Sequence, residues 1–399
     1  MHDGPVFGAI VLGIAAAFAA ALLSNRVSRW LRIPTPALFL VLAALASDLF
    51  PHLHQLSHRT DERLVTVALV VILFEGGMQI GLPRFRAAAR PVVMLGVLGT
   101  VITAGGLALV SHLALGLDWR ESLLLATALS PTDPAVVFNV LGGREIEGNS
   151  GTILQGESGA NDPVGIALMV AILGSSGAGW GAFGGGLGTF ALQLLVGAVV
   201  GVVGGYLLVQ LMSRTTMASE ALYPVRSIVM AFLIYGLAAV LDGSGFLAVL
   251  LAGVIIGEAD VPHRLATHRF TAGLASIAEI VVFVALGLTV DLHRVVTTNA
   301  LWIGLVLFAV LTFVVRPIAV ALLLARAELT RGERVFLAWS GLKGAVPILL
   351  GLFAVTADAL HAEHLYDIVF VVVLASVIIQ GGLIPTVAAR CRVPMTDAG

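Results

Sequence analysis

The charged residues of this 399-residue chain are confined to short clusters that separate long, continuous apolar stretches. Charged residues make up 12% of the sequence and apolar residues 58%, whereas a soluble domain carries about 25% charged residues. A chain crosses a bilayer as helices or as a closed barrel, because every backbone polar group must find a partner within the protein. Barrel strands would alternate apolar and polar residues, and these stretches do not. The pattern therefore predicts an all-α, polytopic membrane protein.

The apolar stretches predict thirteen transmembrane helices, numbered in chain order as spans 1 to 13. Several are shorter than the roughly 20 residues that a spanning helix needs, most of all spans 2 and 9. No loop is long enough for a soluble domain, so residues 1–399 are expected to form a single membrane unit. The approximate ranges are 5–24, 35–49, 64–82, 91–115, 121–141, 153–173, 185–212, 222–241, 243–257, 270–290, 299–324, 333–356 and 366–389.

Lysine and arginine are distributed unequally between alternate loops. Sixteen lie on one side of the predicted membrane and four on the other, and the remaining two of the 22, Arg316 and Lys343, lie inside spans. Cytoplasmic loops of membrane proteins carry the excess of positive charge. The distribution therefore predicts a cytoplasmic C-terminus and an N-terminus on the outer side.

The segment GESGANDPVGIAL, residues 156–168, places polar side chains in span 6. Ser158 and Asp162 are four residues apart, as are Glu157 and Asn161, so they form two neighbouring stripes on a helix. Carboxylates at membrane depth are costly and indicate function by default. This segment is therefore the first candidate for a functional site.

Acids outnumber bases within the predicted spans. The bases Arg316 and Lys343 can each neutralise one acid, and an unpaired buried charge is costly. At least one carboxylate is therefore left over, and facing water it would alternate between a proton and a cation, as a proton-coupled carrier requires. The acids are Glu75, Asp133, Glu157, Asp162 and Glu279.

The segment SPTDPAVV, residues 130–137, predicts a broken helix in span 5. Pro131 and Pro134 lack an N–H and clash with the carbonyls four residues earlier, which should free the carbonyls of Thr127 and Ser130. A helix broken at membrane depth is tolerated where it is buried in protein or lines a cavity. Span 5 is therefore expected to line a cavity or a protein interior.

A second interruption, SGLKGAVPILLG at 340–351, falls in span 12 and suggests an internal repeat. The positions match if two inverted six-helix repeats, about 5–173 and 222–389, are joined by a linking helix at about 185–212, a transporter signature. Crossed broken helices bring like dipole ends together, and Asp133 and Lys343 carry the charges to neutralise them. In the linking helix, Gly197, Gly201 and Gly205 predict close helix packing.

These residues resemble the NhaP-type cation/proton antiporters, bacterial relatives of the animal sodium/proton exchangers. The resemblance covers essentially the whole chain. It implies thirteen helices with two crossed discontinuous helices (spans 5 and 12), a homodimer in a bacterial-type plasma membrane, and an elevator-like motion of the core. It rests on LFEGGM at 73–78, SPTDPAVV at 130–137, GESGANDPVGIAL at 156–168, FLAVLLAGVIIGE at 246–258, VRPIAV at 315–320 and GLKGAVP at 341–347.

The resemblance also implies roles for the polar residues of spans 5, 6 and 11. Asp162 would bind the monovalent cation with Asn161 as its partner, Ser158 and Thr132 would add oxygen ligands, and Arg316 would hold Glu157. An Asn–Asp pair is typical of the electroneutral branch, which exchanges one cation for one proton. Lys343 replaces the arginine usual in the family, and a buried lysine can lose its proton, so a titrating role for it stays open.

The expected function is therefore exchange of Na⁺, or alternatively K⁺ or Li⁺, for H⁺. If Glu157 pairs with Arg316 and Asp133 with Lys343, Asp162 is the central acid without a cationic partner. The expected partners are these ions, membrane lipid and a second copy of the chain, with no nucleic acid and no cofactor. The cluster His52, His54 and His58 could bind a metal ion, but no carboxylate or cysteine completes a convincing site, so it is interpreted as a solvated outer loop.

Two other functional classes fit parts of the sequence. A cation channel could use the same residues but would pass cations without proton counterflow. An intramembrane protease is suggested by residues 156–159, which match the G-x-S-G of rhomboid proteases. A nucleophilic serine needs a histidine base, and the ten histidines lie in loops or near span ends, so an enzyme is not expected.

Overall fold

The computed structural model describes residues 35–49, 58–141, 144–146, 148–175 and 180–397. Predicted span 1, His52 and His54 lie outside these residues. The described α-helices are Thr35–Leu49, His58–Ile80, Leu82–Ala87, Ala89–Val93, Thr100–Leu115, Trp119–Ala128, Ala135–Leu141, Asn149–Gly174, Trp180–Arg214, Leu222–Val240, Gly245–Ile256, Arg264–Leu288, Leu292–Thr297, Ala300–Val310, Arg316–Leu323, Arg331–Trp339, Ala345–Thr356, Ala362–Ala375 and Ile384–Arg390.

The helices account for nearly all of the regular structure in the described residues, which confirms the predicted mainly helical class. Three segments are π-helical, Met94–Gly99, Leu311–Val315 and Ser376–Gly381, and each continues an α-helix. Within the described residues, seven helices are long and apolar enough to cross a membrane, and three further apolar helices are shorter. The count of thirteen spans and the inverted repeat therefore remain predictions.

Spans 5 and 12 are each broken into two helices, as predicted. Span 5 consists of Trp119–Ala128 and Ala135–Leu141, and we call residues 129–134 between them the first interruption. Span 12 consists of Arg331–Trp339 and Ala345–Thr356, and residues 340–344 form the second interruption. The prolines explain the first break because they lack an N–H, whereas three of the five residues between Ser340 and Gly344 are not strong helix formers.

The first half-helix of each broken span begins with a capping box. Asp118 accepts a hydrogen bond from the backbone N–H of Glu121, whose side chain accepts one from the N–H of Asp118. Thr330 and Glu333 form the equivalent capping box at Arg331–Trp339. Capping boxes satisfy the amide groups that a helix N-terminus leaves open, so both half-helices have a fixed start.

The linking helix, Trp180–Arg214, packs closely on Gly245–Ile256 along its glycine ridge. A Cβ added at Gly201 would lie 2.7 Å from the Cα of Ala248 and one at Gly205 would lie 3.0 Å from the Cα of Ala252. These distances leave no room for a larger residue. The structure therefore confirms the close helix packing that the ridge predicted.

Two features of the fold were not predicted from the sequence. Residues Arg144–Ile146 (β1) pair antiparallel with Met395–Asp397 (β2), with Ile146 opposite Met395. In addition, Arg294 binds the fully buried carboxylate of Asp367 through Nε and Nη2, at 2.6 and 2.9 Å, and this hydrogen bonding raises the pKa of Arg294 above its usual value. Both join segments far apart in sequence, so no local pattern indicates them.

Candidate functional site

The two interruptions contact each other directly. The backbone N–H of Asp133 donates to the carbonyl of Leu342 at 2.8 Å. The ammonium of Lys343, the single lysine of the chain, donates to the carbonyls of Ser130 and Pro131 at 3.1 and 2.8 Å. The second interruption thus supplies both an acceptor and a cation to the first.

The two carbonyls that the prolines were expected to free accept from different groups. The carbonyl of Ser130 accepts a hydrogen bond from the ammonium of Lys343. The carbonyl of Thr127 accepts instead from the N–H and the hydroxyl of Ser130, at 3.2 and 2.9 Å. A positive charge at carbonyls that follow the end of Trp119–Ala128 complements the negative end of that helix dipole.

The predicted pair between Asp133 and Lys343 is wrong. Within the part of the chain that the structure describes, no ion pair joins them. Asp133 Oδ1 accepts from the N–H of Ala135, the first residue of Ala135–Leu141, at 2.8 Å. Its carboxylate also lies against Gly344, where an added Cβ would overlap it. Asp133 thus faces the positive ends of two half-helices, and these dipoles replace the lysine as its partner.

The helix that carries the 156–168 segment, Asn149–Gly174, fixes the first interruption, and we call it the motif helix. Ser158 Oγ donates to the carbonyl of Thr132 at 2.6 Å. Asn161 Nδ2 donates to Thr132 Oγ1 at 2.7 Å, while its buried Oδ1 has no hydrogen-bond partner among the described residues. Three of the four predicted ion-binding residues are therefore brought together. Asp162 follows them in sequence and faces a cavity.

The predicted pair between Glu157 and Arg316 is present. Arg316 Nη2 donates to Glu157 Oε2 at 2.8 Å, and Nη1 donates to Oε1. The two side chains are 5% and 1% exposed. Gly341 of the second interruption permits this approach, since a Cβ there would lie 2.6 Å from the Nε of Arg316. Bidentate geometry makes this the strongest type of ion pair available to an arginine.

Asp162 lies at a cavity of about 550 Å³. The cavity extends along the motif helix past Ser158 and Gln155 to Gly151, and it is also lined by the acids Glu75, Asp133 and Glu279. Asp162 is half-buried, and in the described residues its carboxylate makes no hydrogen bond to the protein. Asp133 and Lys343 are its main charged neighbours. Asp162 is thus an acid that water or an ion can reach.

A second cavity, of about 1080 Å³, reaches the motif helix from the opposite direction. Its lining includes Ile166, Ala167 and Val170, which begin one helical turn after Asp162, and Phe353 of the second half of span 12. The two cavities approach the same short stretch of the motif helix from its two ends. This arrangement suits a site that is exposed to one side at a time.

Sequence reasoning missed two polar residues near the site and left two acids without a role. From the π-helical segment, Ser376 hydrogen-bonds Lys343 of the second interruption, and Gln380 hydrogen-bonds Trp339 immediately before it. The sequence feature that could have identified them is the occurrence of two polar residues in an otherwise apolar span. Glu75 and Glu279 line the cavity. Glu75 accepts from Gln79, whereas Glu279 Oε1 is buried and has no hydrogen-bond partner in the part of the chain that the structure describes.

The arrangement does not favour the protease interpretation. The hydroxyl of Ser158 donates its hydrogen bond to the carbonyl of Thr132, rather than to a base. A nucleophilic serine must instead donate to a histidine or an equivalent base.

In the described residues, no group of three or more His, Cys, Asp or Glu side chains is placed to hold a metal ion.

Comparison with known proteins identifies the family of the chain. The family model described as "Sodium/hydrogen exchanger, transmembrane" matches residues 14–390. The K(+)/H(+) antiporter NhaP of Alkalimonas amylolytica is 34% identical over 388 residues, which cover 95% of this chain and 66% of that protein. The K(+)/H(+) antiporter NhaP2 of Shewanella sp. (strain MR-4) is 33% identical over 94% of this chain and 66% of its own length. The chain thus spans slightly less than two thirds of these relatives.

Two further comparisons cover most of both chains. The Na(+)/H(+) antiporter NhaH of Halobacillus aidingensis is 25% identical over 332 residues, 80% of either protein. The solved structure of the sodium proton antiporter MjNhaP1 from Methanocaldococcus jannaschii at pH 8 superposes with a TM-score of 0.77 at 21% identity, covering 96% of this chain and 99% of that one. At this identity the likeness establishes the fold.

Proposed function

Since the chain belongs to the sodium/hydrogen exchanger family of multi-pass membrane proteins, we propose that it exchanges a monovalent cation for protons, with Asp162 as the carrier of both. The observation that supports this most is the position of Asp162. It is partly exposed at the cavity, beside the contact between the two interruptions, and makes no hydrogen bond to the described protein. Its carboxylate is free to accept either a proton or an ion.

The coupling follows from the charge of the loaded site. Protonated Asp162 is neutral, and the ionised carboxylate becomes neutral when it binds a monovalent cation. An empty, charged carboxylate is costly to move through a membrane interior. Only the two loaded states therefore cross, which enforces exchange of one cation for one proton. Oxygen ligands suit such a hard cation, and we assign them to Asp162, Ser158, Thr132 and water.

The remaining parts of the proposal concern the setting of the site. The sixteen-to-four distribution of basic residues favours a cytoplasmic C-terminus, and the bacterial relatives favour a bacterial-type plasma membrane. The Asp162 cavity, whose lining includes Arg84 and Ile146, would then open to the cytoplasm. We further propose a homodimer and an elevator-like movement of the core, which would expose Asp162 to the second cavity. Both are supported by the family resemblance.

The transported cation is Na⁺ or K⁺. Oxygen ligands accept both ions, so the site residues do not separate them. The relatives at 33–34% identity are named as K(+)/H(+) antiporters, and the relative at 25% is named as a Na(+)/H(+) antiporter. The names therefore support K⁺ at least as well as the Na⁺ expected from the sequence.

The test is a transport measurement on the purified protein in liposomes that contain a pH-sensitive dye. Imposed gradients of Na⁺, K⁺ and Li⁺ in turn should each be compared with liposomes that lack protein. An antiporter changes the internal pH without any added ionophore. A channel would change it only when a protonophore supplies a separate path for protons. A response that requires the protonophore would contradict antiport.

Replacing Asn161 with aspartate is expected to make transport electrogenic. The amide of Asn161 donates to Thr132 Oγ1, and a threonine hydroxyl can reverse its role and donate to a carboxylate. The variant should therefore fold while adding a second carboxylate to the site. We expect this carboxylate to carry a proton in the proton-loaded state and to be ionised in the cation-loaded state, so that two protons exchange for one cation and each cycle moves net charge. Currents on a solid-supported membrane after a cation jump measure this directly.

A matched control for this variant lies on the same helix. Asn149→Asp makes the same chemical change at the exposed first residue of the motif helix. It should show the small currents of the wild type. Equal currents from wild type and Asn161→Asp would contradict the proposed charge balance.

A further inference from the structure

A chain of hydrogen bonds joins the two ends of the second interruption. The backbone N–H of Lys343 donates to Ser376 Oγ at 3.0 Å, and Ser376 Oγ donates to Gln380 Oε1 at 2.9 Å. Gln380 Nε2 donates to the carbonyl of Trp339, and Trp339 Nε1 returns a bond to the carbonyl of Gln380 at 3.1 Å. Trp339 is the last residue before the break, and Lys343 is near its end.

These hydrogen bonds supply partners for backbone groups that the break in span 12 leaves unpaired. An interrupted helix leaves carbonyl and N–H groups without partners, and such groups are costly when buried. Ser376 and Gln380 are 1% and 2% exposed, so water does not replace them. They lie in the π-helical segment Ser376–Gly381, which continues Ala362–Ala375, and such segments are frequent at functional sites.

The same residues determine where the ammonium of Lys343 lies. Ser376 fixes the backbone of Lys343, and its side chain extends from that point to the carbonyls of Ser130 and Pro131. The lysine is 2% exposed and has these two carbonyls as its hydrogen-bond acceptors. A shift of its backbone would therefore move the positive charge that acts on the Asp162 carboxylate.

The motif helix provides a comparison at the first interruption. There Ser158 and Asn161, three residues apart, hold Thr132 through a backbone carbonyl and a hydroxyl. Ser376 and Gln380, four residues apart, hold the backbone N–H of Lys343 in the second interruption and the carbonyl of Trp339 just before it. Each broken span is thus fixed by two polar side chains of the membrane helix that follows it in sequence.

We propose that Ser376 and Gln380 are positioning residues for transport, which place the ammonium of Lys343 against the first interruption beside Asp162. The inference rests on the proposed function of Asp162. It assigns to span 13 a role that corresponds to that of Ser158 and Asn161 in span 6. The two residues act through Lys343 and touch neither the cation nor the proton.

The test compares Ser376→Ala and Gln380→Leu with the wild type in liposomes, over a series of cation concentrations. Each variant leaves a buried backbone group without a partner, and we expect a maximal rate reduced about tenfold together with a changed cation KM. Ser376→Thr keeps the hydroxyl and should stay within about twofold of the wild type. Ser111→Ala is the matched control, because Ser111 is equally buried and its hydroxyl has no hydrogen-bond partner in the described residues.

The outcomes separate this inference from the proposed function. A wild-type KM in both Ser376→Ala and Gln380→Leu, with rates that follow only the amount of folded protein, would overturn the positioning role. If Ser376→Ala does not fold, Ser376→Cys can replace it. The thiol is close in size to the hydroxyl but forms weaker hydrogen bonds, so its cation KM and maximal rate can be compared with those of the wild type in the same way. Absence of exchange by the wild type would overturn the proposed function and this inference with it. Exchange by the wild type and unchanged variants would overturn the inference alone.

Discussion

Replacing Asp162 with asparagine is expected to reduce cation-driven proton movement to the background of empty liposomes. Asparagine is nearly isosteric with aspartate, but its amide neither releases a proton nor offers a negative charge to a cation. Because the Asp162 carboxylate makes no hydrogen bond to the described protein, its replacement should leave the fold intact. The dye assay measures the loss, and a size-exclusion profile in detergent verifies folding.

Two further variants make this result specific. Asp260→Asn carries the same change at an exposed loop position, outside the lining of both cavities, and should retain wild-type exchange. Asp133→Asn addresses another cavity acid that has no ionic partner within the described ranges. Wild-type exchange by Asp162→Asn, combined with its loss in Asp133→Asn, would transfer the carrier role to Asp133.

Removal of Arg316 is expected to have the largest effect on stability. Arg316→Ala leaves the carboxylate of Glu157 buried without its partner, and breaking such a pair costs about 3–5 kcal/mol. Arg316 also donates to the carbonyl of Leu337 at 3.3 Å, which would lose that bond. We expect a markedly lower melting temperature in detergent, measured by fluorescence-detected size-exclusion chromatography after heating. Arg269→Ala, at an exposed position, should melt like the wild type.

A double variant separates a structural role of this pair from a role in transport. Glu157→Leu combined with Arg316→Met removes both charges, and apolar replacements of buried ion pairs are often neutral or stabilising. We expect the double variant to recover most of the stability lost in Arg316→Ala and to retain exchange. A stable double variant without exchange would show that the pair takes part in transport, contrary to the structural assignment.

Local chemistry explains why the breaks in spans 5 and 12 could be predicted from the sequence. Pro131 and Pro134 prevent a regular helix whatever surrounds them, and a polar residue next to them in an apolar stretch marks the depth of the break. The pairing of Glu157 with Arg316 was expected from the family resemblance, and the structure contains it. The breaks need little information beyond the residues themselves, whereas the pairing also needed the resemblance.

Assignments that depend on exact separation were less reliable. Asp133 and Lys343 lie on the two interruptions that meet, yet the ammonium reaches the carbonyls of Ser130 and Pro131 while the carboxylate turns to Ala135. Counting charges predicted a pair, because a sequence shows opposite signs but not the competing backbone groups. In consequence, Asp162 is no longer singled out by pairing alone, and its exposure at the cavity supports its role instead.

The sequence by itself determined the membrane class, the positions of both helix breaks and the set of polar residues available to a site. These follow from hydropathy and from backbone chemistry, which act over a few residues. Only the tertiary structure decided which carbonyls receive Lys343, that Ser376 and Gln380 bind the second break, and that β1 pairs with β2. Each of these contacts joins segments that are distant in sequence, and a hydrogen bond forms or fails over less than an ångström. The composition or residue spacing of one segment does not determine the distance between a donor in that segment and an acceptor in another.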